Sequence, residues 1–581
     1  MAHLSEGTNK LELTLEQCSK LPDFHQKEQG KPAVHLLWLP PNRTDSDGEA
    51  SNTWFHDFAE RSIPTHQDSV ICVLTTPPDA ARIIPHLSHL RFQSWISVKL
   101  SPQEAEDTVM KEQHVALLVF TRYDRTLEHI PTRVGYSYCP YCKKTTKDYG
   151  GKKHLYHSYG TLMSDVWRDI ECQPATNIST ILERLQDFFG LDPYKKLLCY
   201  DLRECQLPNA TIVNETPEIA PETPISSVPG NILYNGDSLE LMRHFPSDSV
   251  DFGFCDPPYN IQKNYDRWDD GLEIEKYFSW CDEWLSEMAR VLKPGRTLAV
   301  LNIPLWAVRH YQFLATKLSF QSWIAWDALS LPVRKLMPAN YAIICFSKGR
   351  PRRLEFNEDY RVREFHSYVS PAKEFACLRQ VCVDSRGRTA STRSEPGNLW
   401  HDIHRLKHNS RRVDHPCQLP PQLMRRLYSL FTEQGEIVLD CFNGAGTSSL
   451  VAEQMGRQYI GIELSKEYHD LAKKRHDDLA FGVDPFGKQK VIPKAKNSRV
   501  QRLTQQKYVV SKKVLQLDVR RIAKELGRLP SREEVISRSK YPIDFYDNYF
   551  IGWGEVCAAA RTTGMSELPK EDLFSLREAS V

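Results

Sequence analysis

The sequence predicts an α/β protein with an open sheet of the dinucleotide-binding type, built twice along its 581 residues. Two stretches predict this fold: Asp256-Pro257-Pro258-Tyr259, which follows an apolar run, and the glycine-rich stretch from Asp440 to Thr447, about 180 residues later. A repeat predicts the duplication, because Phe92-Gln93-Ser94-Trp95-Ile96 recurs as Phe320-Gln321-Ser322-Trp323-Ile324, 228 residues further on.

The first stretch ends a predicted strand. Residues 249–255 form a nearly continuous apolar run, which is typical of a buried strand, and two prolines cannot continue a hydrogen-bonded ladder. Asp256 and Tyr259 are therefore expected at a strand's carboxyl end, where open α/β sheets bind ligands. An ordinary polar turn is the alternative interpretation.

The second stretch predicts a cofactor site. A strand from Glu436 to Leu439 leads into a glycine turn and a helix that begins near Thr447, so backbone N–H groups would face a ligand. Glu463 ends the next predicted strand, 23 residues after Asp440. At that spacing a carboxylate meets ribose hydroxyls in dinucleotide-type folds.

From about Gly230 to Phe481 these motifs resemble the S-adenosylmethionine-dependent DNA amino-methyltransferases, and their order is similar to the permuted beta class of that family. The resemblance implies a Rossmann-like methyltransferase core that uses S-adenosylmethionine and double-stranded DNA. The segment from His415 to Pro420 resembles the family's HPxQKP segment, with Leu419 in place of lysine. The implied catalytic residues are Asp256, Pro257, Pro258 and Tyr259, and the implied cofactor-binding residues are Asp237, Asp440, Phe442, Gly444, Gly446, Thr447, Glu463, His415 and Pro416.

The chemistry explains why such a tetrad is needed. An aromatic amine is a poor nucleophile, because its lone pair is delocalised into the ring. The Asp256 carboxylate and the Pro257 carbonyl can accept the two amino hydrogens, and Tyr259 can stack on a flipped base. The tetrad followed by Asn260 resembles the adenine enzymes of the family more than the cytosine ones, which implies adenine N6 as the target, and cytosine N4 remains open. An RNA or protein methyltransferase is a further alternative, although those usually carry Asn at the position of Asp256.

The N-terminal part, residues 31–205, is predicted to be a degenerate copy of this domain. Strand patterns flank its copy of the repeat as they flank the later one, but Thr75 to Asp79 lacks the Asp and Tyr of the tetrad, and no Gly-x-Gly follows Tyr200. We expect a non-catalytic scaffold that packs on the active copy as an internal pseudo-dimer. An unrelated α/β domain is the alternative.

A metal site is predicted inside this copy, between residues 139 and 157. Cys139 and Cys142 precede His154 and His157, a set of ligand types that suits tetrahedral zinc. The nearby lysines would let a zinc loop touch DNA phosphates. Reduced thiols and solvated histidines are the alternative.

The remaining segments complete the predicted organisation. Residues 1–30 are a flexible N-terminus, 206–230 a linker and 231–482 the catalytic domain, in which about 348–398 form an arginine-rich target recognition region. Residues 483–513 are a basic linker that tracks DNA or is merely solvated. Residues 514–581 form a helical module whose Gly-Arg-x-Pro-Ser turn resembles the homing-endonuclease-associated repeat, a DNA-binding unit; a plain helical cap is the alternative.

Composition sets the broad class. The chain is 41% hydrophobic with a formal net charge of +1, so DNA affinity must come from local basic patches. Its fifteen cysteines are expected to be reduced. No apolar run of membrane-spanning length and no signal peptide is predicted, which favours a cytoplasmic protein. The recognition sequence, a partner restriction or defence subunit, and the choice between a monomer and a homodimer remain open.

Overall fold

The structure is a computed structural model with two compact units, Met1–Lys496 and Asn497–Val581. It describes residues 12–17, 24, 28, 31–39, 66–101, 110–122, 125, 127, 132–136, 138–139, 141–145, 161–189, 196–202, 228–261, 270–328, 336–352, 382, 397–401, 403, 405, 418–487, 512–550 and 553–558. None of the described helices is both long and apolar enough to cross a bilayer.

The first unit begins with a seven-stranded sheet. In chain order its strands are β1 (Glu12–Gln17), β2 (Ala33–Trp38), β3 (Val70–Thr75), β4 (Leu90–Leu100), β5 (His114–Arg122), β10 (Val166–Cys172) and β11 (Lys196–Asp201). Between β5 and β10 the chain forms four short strands outside this sheet: β6 (Arg133–Val134), β7 (Tyr138–Cys139), β8 (Lys144–Thr145) and β9 (Thr161–Leu162). Helices α1 (Pro77–Ile83) and α2 (Ser179–Phe189) accompany it. The spatial order is β1-β11-β2-β3-β5-β4-β10, and β5 runs antiparallel to its neighbours.

An eight-stranded sheet follows in the same unit. Its strands are β12 (Ile232–Asn235), β13 (Val250–Cys255), β14 (Leu292–Asn302), β15 (Ser319–Asp327), β16 (Asn340–Ser347), β17 (Leu399–Trp400), β18 (Ile437–Asp440) and β19 (Gln458–Glu463). Its helices are α3 (Ser238–Met242), α4 (Ile274–Val291), α5 (Pro304–Leu314), α6 (Pro421–Phe431), α7 (Thr447–Gln454) and α8 (Lys466–Ala480). The spatial order is β12-β19-β18-β13-β14-β16-β15-β17, and β16 runs antiparallel to its neighbours.

The two sheets share one topology. The strands β2, β3, β4, β5, β10 and β11 occupy, in the same order and directions, the places of β13, β14, β15, β16, β17 and β18. Both copies also carry a β-bulge at the same point of the repeat, at Gln93 between β4 and β5 and at Gln321 between β15 and β16. The predicted Rossmann-like fold, duplicated with a degenerate N-terminal copy, is confirmed.

The copies contact each other reciprocally. Asp165 of the first copy accepts hydrogen bonds through Oδ1 from the backbone N–H groups of Ala339 (2.7 Å) and Asn340 (2.9 Å) in the second. Asn398, at the matching place of the second copy, accepts through Oδ1 from the backbone N–H of Gln113 in the first, at 2.7 Å. Such mutual contacts are those of an isologous dimer interface, here formed within one chain.

Three layers of apolar side chains stabilise this unit. One core is shared by the two sheets and contains residues of α1, α4 and α5. A second core lies between the N-terminal sheet and α2, and a third between the second sheet, α6 and α7. The strands read as continuous apolar runs because both faces of each sheet are covered.

The second unit is helical. Its helices are α9 (Lys512–Leu526), α10 (Arg532–Arg538), α11 (Ile543–Tyr549) and α12 (Trp553–Ala558). Ser531 and Glu534 form a reciprocal capping box at the start of α10, and the Trp553 indole donates to the Pro530 carbonyl at 3.1 Å. Helix α11 begins directly after Pro542, whose fixed φ suits a helix start.

Candidate active site

The predicted catalytic and cofactor residues meet at one edge of the second sheet. Strands β12, β13, β18 and β19 are parallel neighbours in this sheet, so their carboxyl ends lie side by side. One pocket at this edge is lined by Asp237, Asp256, Pro257, Pro258, Tyr259, Asp440, Phe442, Gly444, Thr447 and Glu463. Gly446 directly precedes α7 with a left-handed φ of 81°. His415 and Pro416 lie outside the described residues.

Hydrogen bonds fix the tetrad. The Tyr259 hydroxyl donates to Asp256 Oδ1 at 2.8 Å, the Tyr277 hydroxyl to the Pro258 carbonyl at 2.7 Å, and the Trp306 indole to the Tyr259 carbonyl at 2.8 Å. Within the described part of the chain, nothing donates to the Pro257 carbonyl. The tetrad therefore has two hydrogen-bond acceptors, the oriented Asp256 carboxylate and the Pro257 carbonyl. Together they suit a ligand group that donates two hydrogens, such as an amino group.

An aromatic wall adjoins the tetrad. The Tyr259 ring lies 6.2 Å from the Tyr341 ring, which also contacts Trp326 at 5.6 Å and has the Arg405 guanidinium 4.9 Å from its centre. All four residues line the pocket. Sequence reasoning missed Trp326, Tyr341 and Arg405. The available signal was topological, because β15 ends and the antiparallel β16 begins at this edge.

Buried carboxylates organise the glycine turn. Asp440 Oδ1 accepts from the Phe442 N–H at 2.9 Å, and its other oxygen accepts from the Ser448 hydroxyl. Burial raises the pKa of Asp440 to about 7, and the nearby carboxylates of Asp256 and Glu463 contribute in the same direction. A cation in this pocket would therefore be favoured by the local charge.

Two further carboxylates lie at neighbouring strand ends. Glu463 accepts from the backbone N–H groups of Gly444 and Ser465, both at 2.8 Å. Asp237 caps α3 by accepting from the Leu239 N–H (2.9 Å) and the adjacent Glu240 N–H (3.1 Å). Their backbone partners fix both carboxylates while they line the pocket, and each carboxylate oxygen retains capacity for a ligand hydroxyl.

A second aromatic group, also missed from the sequence, lies beside Phe442 in the pocket. Trp280 and Trp284, four residues apart on α4, contact the Phe442 ring at 5.7 Å and 5.2 Å. The i, i+4 spacing of two tryptophans on the helix after the tetrad was the signal that could have indicated them.

The segment between Asn260 and Asp270 directly follows the tetrad. Its two ends are held together, because Asp270 accepts from the N–H groups of Asn260 (2.7 Å) and Ile261 (3.0 Å), and the Asn260 side chain bonds the Leu272 backbone twice at 2.8 Å. Asn260 adopts a left-handed φ of 54°. Tyr265 and Trp268 lie outside the described residues.

Most arginines of the predicted recognition region also lie outside the described residues. Arg352 is described and forms a two-pronged ion pair with Glu436, at 2.7 Å and 3.0 Å. Glu436 immediately precedes β18, so this pair lies at the sheet edge opposite the pocket. We conclude that Arg352 stabilises the sheet through this ion pair.

The predicted zinc ligands are only partly described. Cys139 and Cys142 lie together, and Cys382 joins them, a residue that sequence reasoning did not select. His154 and His157 lie outside the described residues.

A Rossmann-like sheet with carboxylates, a glycine turn and an Asp-Pro-Pro-Tyr tetrad at one edge defines a nucleotide-cofactor enzyme class. Comparison with known proteins specifies it further. A family model described as a DNA methylase, N6_N4_Mtase, matches residues 250–474. The chain is 32% identical over 256 residues to the type II methyltransferase M.HpaI of Haemophilus parainfluenzae. This match spans 43% of this chain and 76% of that relative.

Two other relatives match the same region. M.BamHI of Bacillus amyloliquefaciens is 34% identical over 241 residues, 40% of this chain, and the match spans about half of that relative, 54%. The DNA adenine methyltransferase YhdJ of Escherichia coli (strain K12) is 28% identical over 255 residues, 42% of this chain and 82% of that protein. The chain belongs to the N6-adenine/N4-cytosine DNA methyltransferase family.

Proposed function

We propose that this protein transfers a methyl group from S-adenosylmethionine to the exocyclic N6 of adenine in a specific sequence of double-stranded DNA, after flipping the base. One observation carries the proposal. The Asp256 carboxylate and the glycine turn after Asp440 end adjacent strands and line the same pocket. An amino group that donates to two acceptors and a cofactor that binds to backbone N–H groups can therefore lie side by side in this pocket.

The tetrad supplies what an aromatic amine lacks. When Asp256 and the Pro257 carbonyl accept the two amino hydrogens, the nitrogen lone pair is drawn out of conjugation and directed at the cofactor. The Tyr259 hydroxyl keeps the carboxylate in this orientation. As the new bond forms, the nitrogen becomes positively charged, and the adjacent carboxylate stabilises that charge and can accept the released proton.

The pocket suits S-adenosylmethionine. This cofactor supplies an electrophilic methyl group on a sulfonium, and it also carries an ammonium and ribose hydroxyls. Asp237, Asp440 and Glu463 are carboxylates that line the pocket and complement these groups. Trp280 and Trp284 also line the pocket, and both contact the Phe442 ring. Positioning then provides most of the catalysis, because the methyl donor is intrinsically reactive.

The aromatic wall suits a flipped base. Tyr259, Trp326 and Tyr341 offer ring faces or edges in the pocket, and such surfaces bind extruded bases by stacking. Adenine is preferred over cytosine because Asp256 with Asn260 resembles the adenine enzymes, and the relative YhdJ is named as an adenine methyltransferase. The tetrad geometry suits the amino group of cytosine equally well, so N4-cytosine methylation is the second candidate.

The test is transfer of labelled methyl from S-adenosylmethionine to mixed-sequence duplex DNA, with the product nucleosides identified by mass. We expect N6-methyladenine. Label in N4-methylcytosine would retain the mechanism and correct the base. Label found in RNA or protein instead of DNA would overturn the proposed substrate.

We further propose that the helical unit binds DNA. Its described surface exposes Arg520, Lys524, Arg538 and Lys540, and most of its described apolar side chains form a core of their own. Removing residues 497–581 should weaken DNA binding and lower its salt dependence, because phosphate contacts release counterions. Cofactor affinity should not change. Unaltered DNA affinity would show that the unit has another role.

A further inference from the structure

Three cysteine sulfurs converge outside the active site. Cys139 and Cys142 come from the N-terminal copy, and Cys382 comes from the arginine-rich segment of the second copy, 240 residues after Cys142 in the sequence. Their Sγ atoms all lie within 4.8 Å of one another. The arrangement brings together two segments that nothing in the sequence spacing connects.

Cys139 and Cys142 lie in a very short hairpin. Cys139 ends β7, which pairs with β8 through Tyr138 opposite Thr145 and Cys139 opposite Lys144. Lys143, directly after Cys142, has a left-handed φ of 54°, a conformation that a lysine adopts rarely. Two-residue strands provide too few hydrogen bonds to maintain such a turn in water, so another interaction must stabilise it.

The described apolar neighbours of the sulfurs supply little of that stabilisation. Cys139 is fully buried and Cys382 is 2% exposed, yet their cluster contains only these two residues, with Tyr141 and Cys142 packed against it. Among the described residues, no aliphatic side chain belongs to it. Burying a few thiols contributes little hydrophobic free energy, because stabilisation scales with the apolar area removed from water.

We propose that Cys139, Cys142 and Cys382 hold a structural Zn²⁺ ion that fastens the arginine-rich segment of the catalytic copy to the N-terminal copy. Tetrahedral zinc with Zn–S bonds of about 2.3 Å places its sulfurs about 3.8 Å apart, within the range of this cluster. Each thiol releases its proton to solvent on binding, and the metal–thiolate bonds contribute folding free energy.

Structural zinc takes four ligands, and no further Cys, His, Asp or Glu among the described residues joins these three. The sequence offers His154 and His157, and also Cys377, five residues before Cys382. A thiolate-rich site of this kind, closed by four protein ligands, is structural and not catalytic. The inference does not depend on methyl transfer.

The test measures zinc in the full-length protein purified without added metal. We expect about one zinc per chain in the wild type, and loss of most of it in both Cys142→Ser and Cys382→Ser. Cys172→Ser is the matched control, because Cys172 is also buried, but its thiol donates to the Lys99 carbonyl, a bond that serine can keep. This variant should retain zinc.

Cobalt substitution of the wild type gives a second measurement that needs no variant to fold. Three or more thiolates should produce sulfur-to-cobalt charge-transfer absorption, whose intensity scales with the number of thiolates. Parallel variants His154→Ala, His157→Ala and Cys377→Ser then identify the fourth ligand. Zinc-free wild-type protein without charge-transfer absorption would overturn the site. Full zinc in Cys382→Ser would overturn the link between the two copies.

Discussion

Trp95 and Trp323 stack face to face, with ring centroids 4.7 Å apart and ring planes 4° from parallel. They occupy the same position in the two copies of the repeat, 228 residues apart. Equivalent residues can contact each other only near the axis that relates the copies. The pair therefore marks the pseudo-twofold axis of an internal dimer, and an obligatory second chain is not needed to complete this interface.

This stacking predicts coupled stability. Trp95→Ala and Trp323→Ala should each lower the free energy of unfolding by about 3–5 kcal/mol, since both side chains are almost fully buried. The double variant should lose less than the sum, with a coupling of about 0.5–3 kcal/mol. Trp167→Ala is the control, because Trp167 lies in the separate core with α2 and should combine additively with Trp323→Ala. Urea unfolding of all variants checks this, and additivity of the stacked pair would contradict it.

The tetrad predicts a separation of catalysis from binding. Asp256→Asn should lower kcat about 10²-fold or more, because one of the two acceptors is replaced by a weaker, neutral group. Tyr259→Phe should have a smaller effect in the same direction, since it removes only the 2.8 Å bond that orients the carboxylate. Cofactor affinity measured by calorimetry should change little in either variant.

Asp248→Asn is the control for the tetrad variants. Asp248 lies in a turn with a left-handed φ of 58°, where asparagine is well tolerated, and it pairs with Lys348 away from the pocket. Its kcat should remain that of the wild type. Full activity in Asp256→Asn would instead remove Asp256 from the reaction.

The glycine turn predicts a cofactor-binding defect. At Gly446 a Cβ atom would lie 2.9 Å from Ala472 Cβ, and the backbone φ is 81°. Gly446→Ala should therefore displace the start of α7 and weaken S-adenosylmethionine binding by at least about tenfold. Gly435→Ala carries the same strain, φ 82°, but its Cβ would meet nothing within 4 Å. Calorimetry should find that Gly435→Ala binds S-adenosylmethionine with the wild-type affinity. Equal affinities in the two variants would exclude a role for the Gly446 turn in cofactor binding.

Sequence reasoning reached the features that depend on local chain chemistry. The ends of β13 and β18 followed from apolar runs stopped by Pro257 and by the glycine turn, and the duplication followed from one pentapeptide together with the strand patterns on both sides of it. The aromatic wall of Trp326, Tyr341 and Arg405 did not, because its members come from separate elements whose proximity depends on the antiparallel direction of β16. Cys382 was not predicted either, because its partners Cys139 and Cys142 lie 240 or more residues earlier in the sequence.

The interface between the copies predicts a pH dependence. Burial raises the pKa of Asp165 to about 7, although the N–H groups of Ala339 and Asn340 oppose the shift. Between about pH 4 and pH 7 the folded state therefore holds a proton that the unfolded chain releases. This contribution to stability is present at low pH and is lost as the pH rises towards 7.

Asp165→Asn should remove this slope. The asparagine Oδ1 can accept the same two backbone bonds, just as the Asn398 Oδ1 accepts a backbone bond from Gln113 at the matching place in the second copy. Relative to the wild type, the variant should gain about 2.7 kcal/mol between about pH 5 and pH 8, since about two pH units of this interval lie below the folded pKa and each corresponds to about 1.4 kcal/mol. Urea unfolding at the two pH values measures the difference, and identical slopes would mean that Asp165 titrates normally.

The reciprocal variant Asn398→Asp tests the same interface with the opposite sign. The Asn398 amide donates to Glu112 Oε2 at 2.8 Å, so an aspartate there would face a second carboxylate. We expect Asn398→Asp to be destabilised, and increasingly so as the pH rises and both groups ionise. An unchanged midpoint at about pH 8 would show that the interface tolerates two neighbouring charges, which would contradict the prediction.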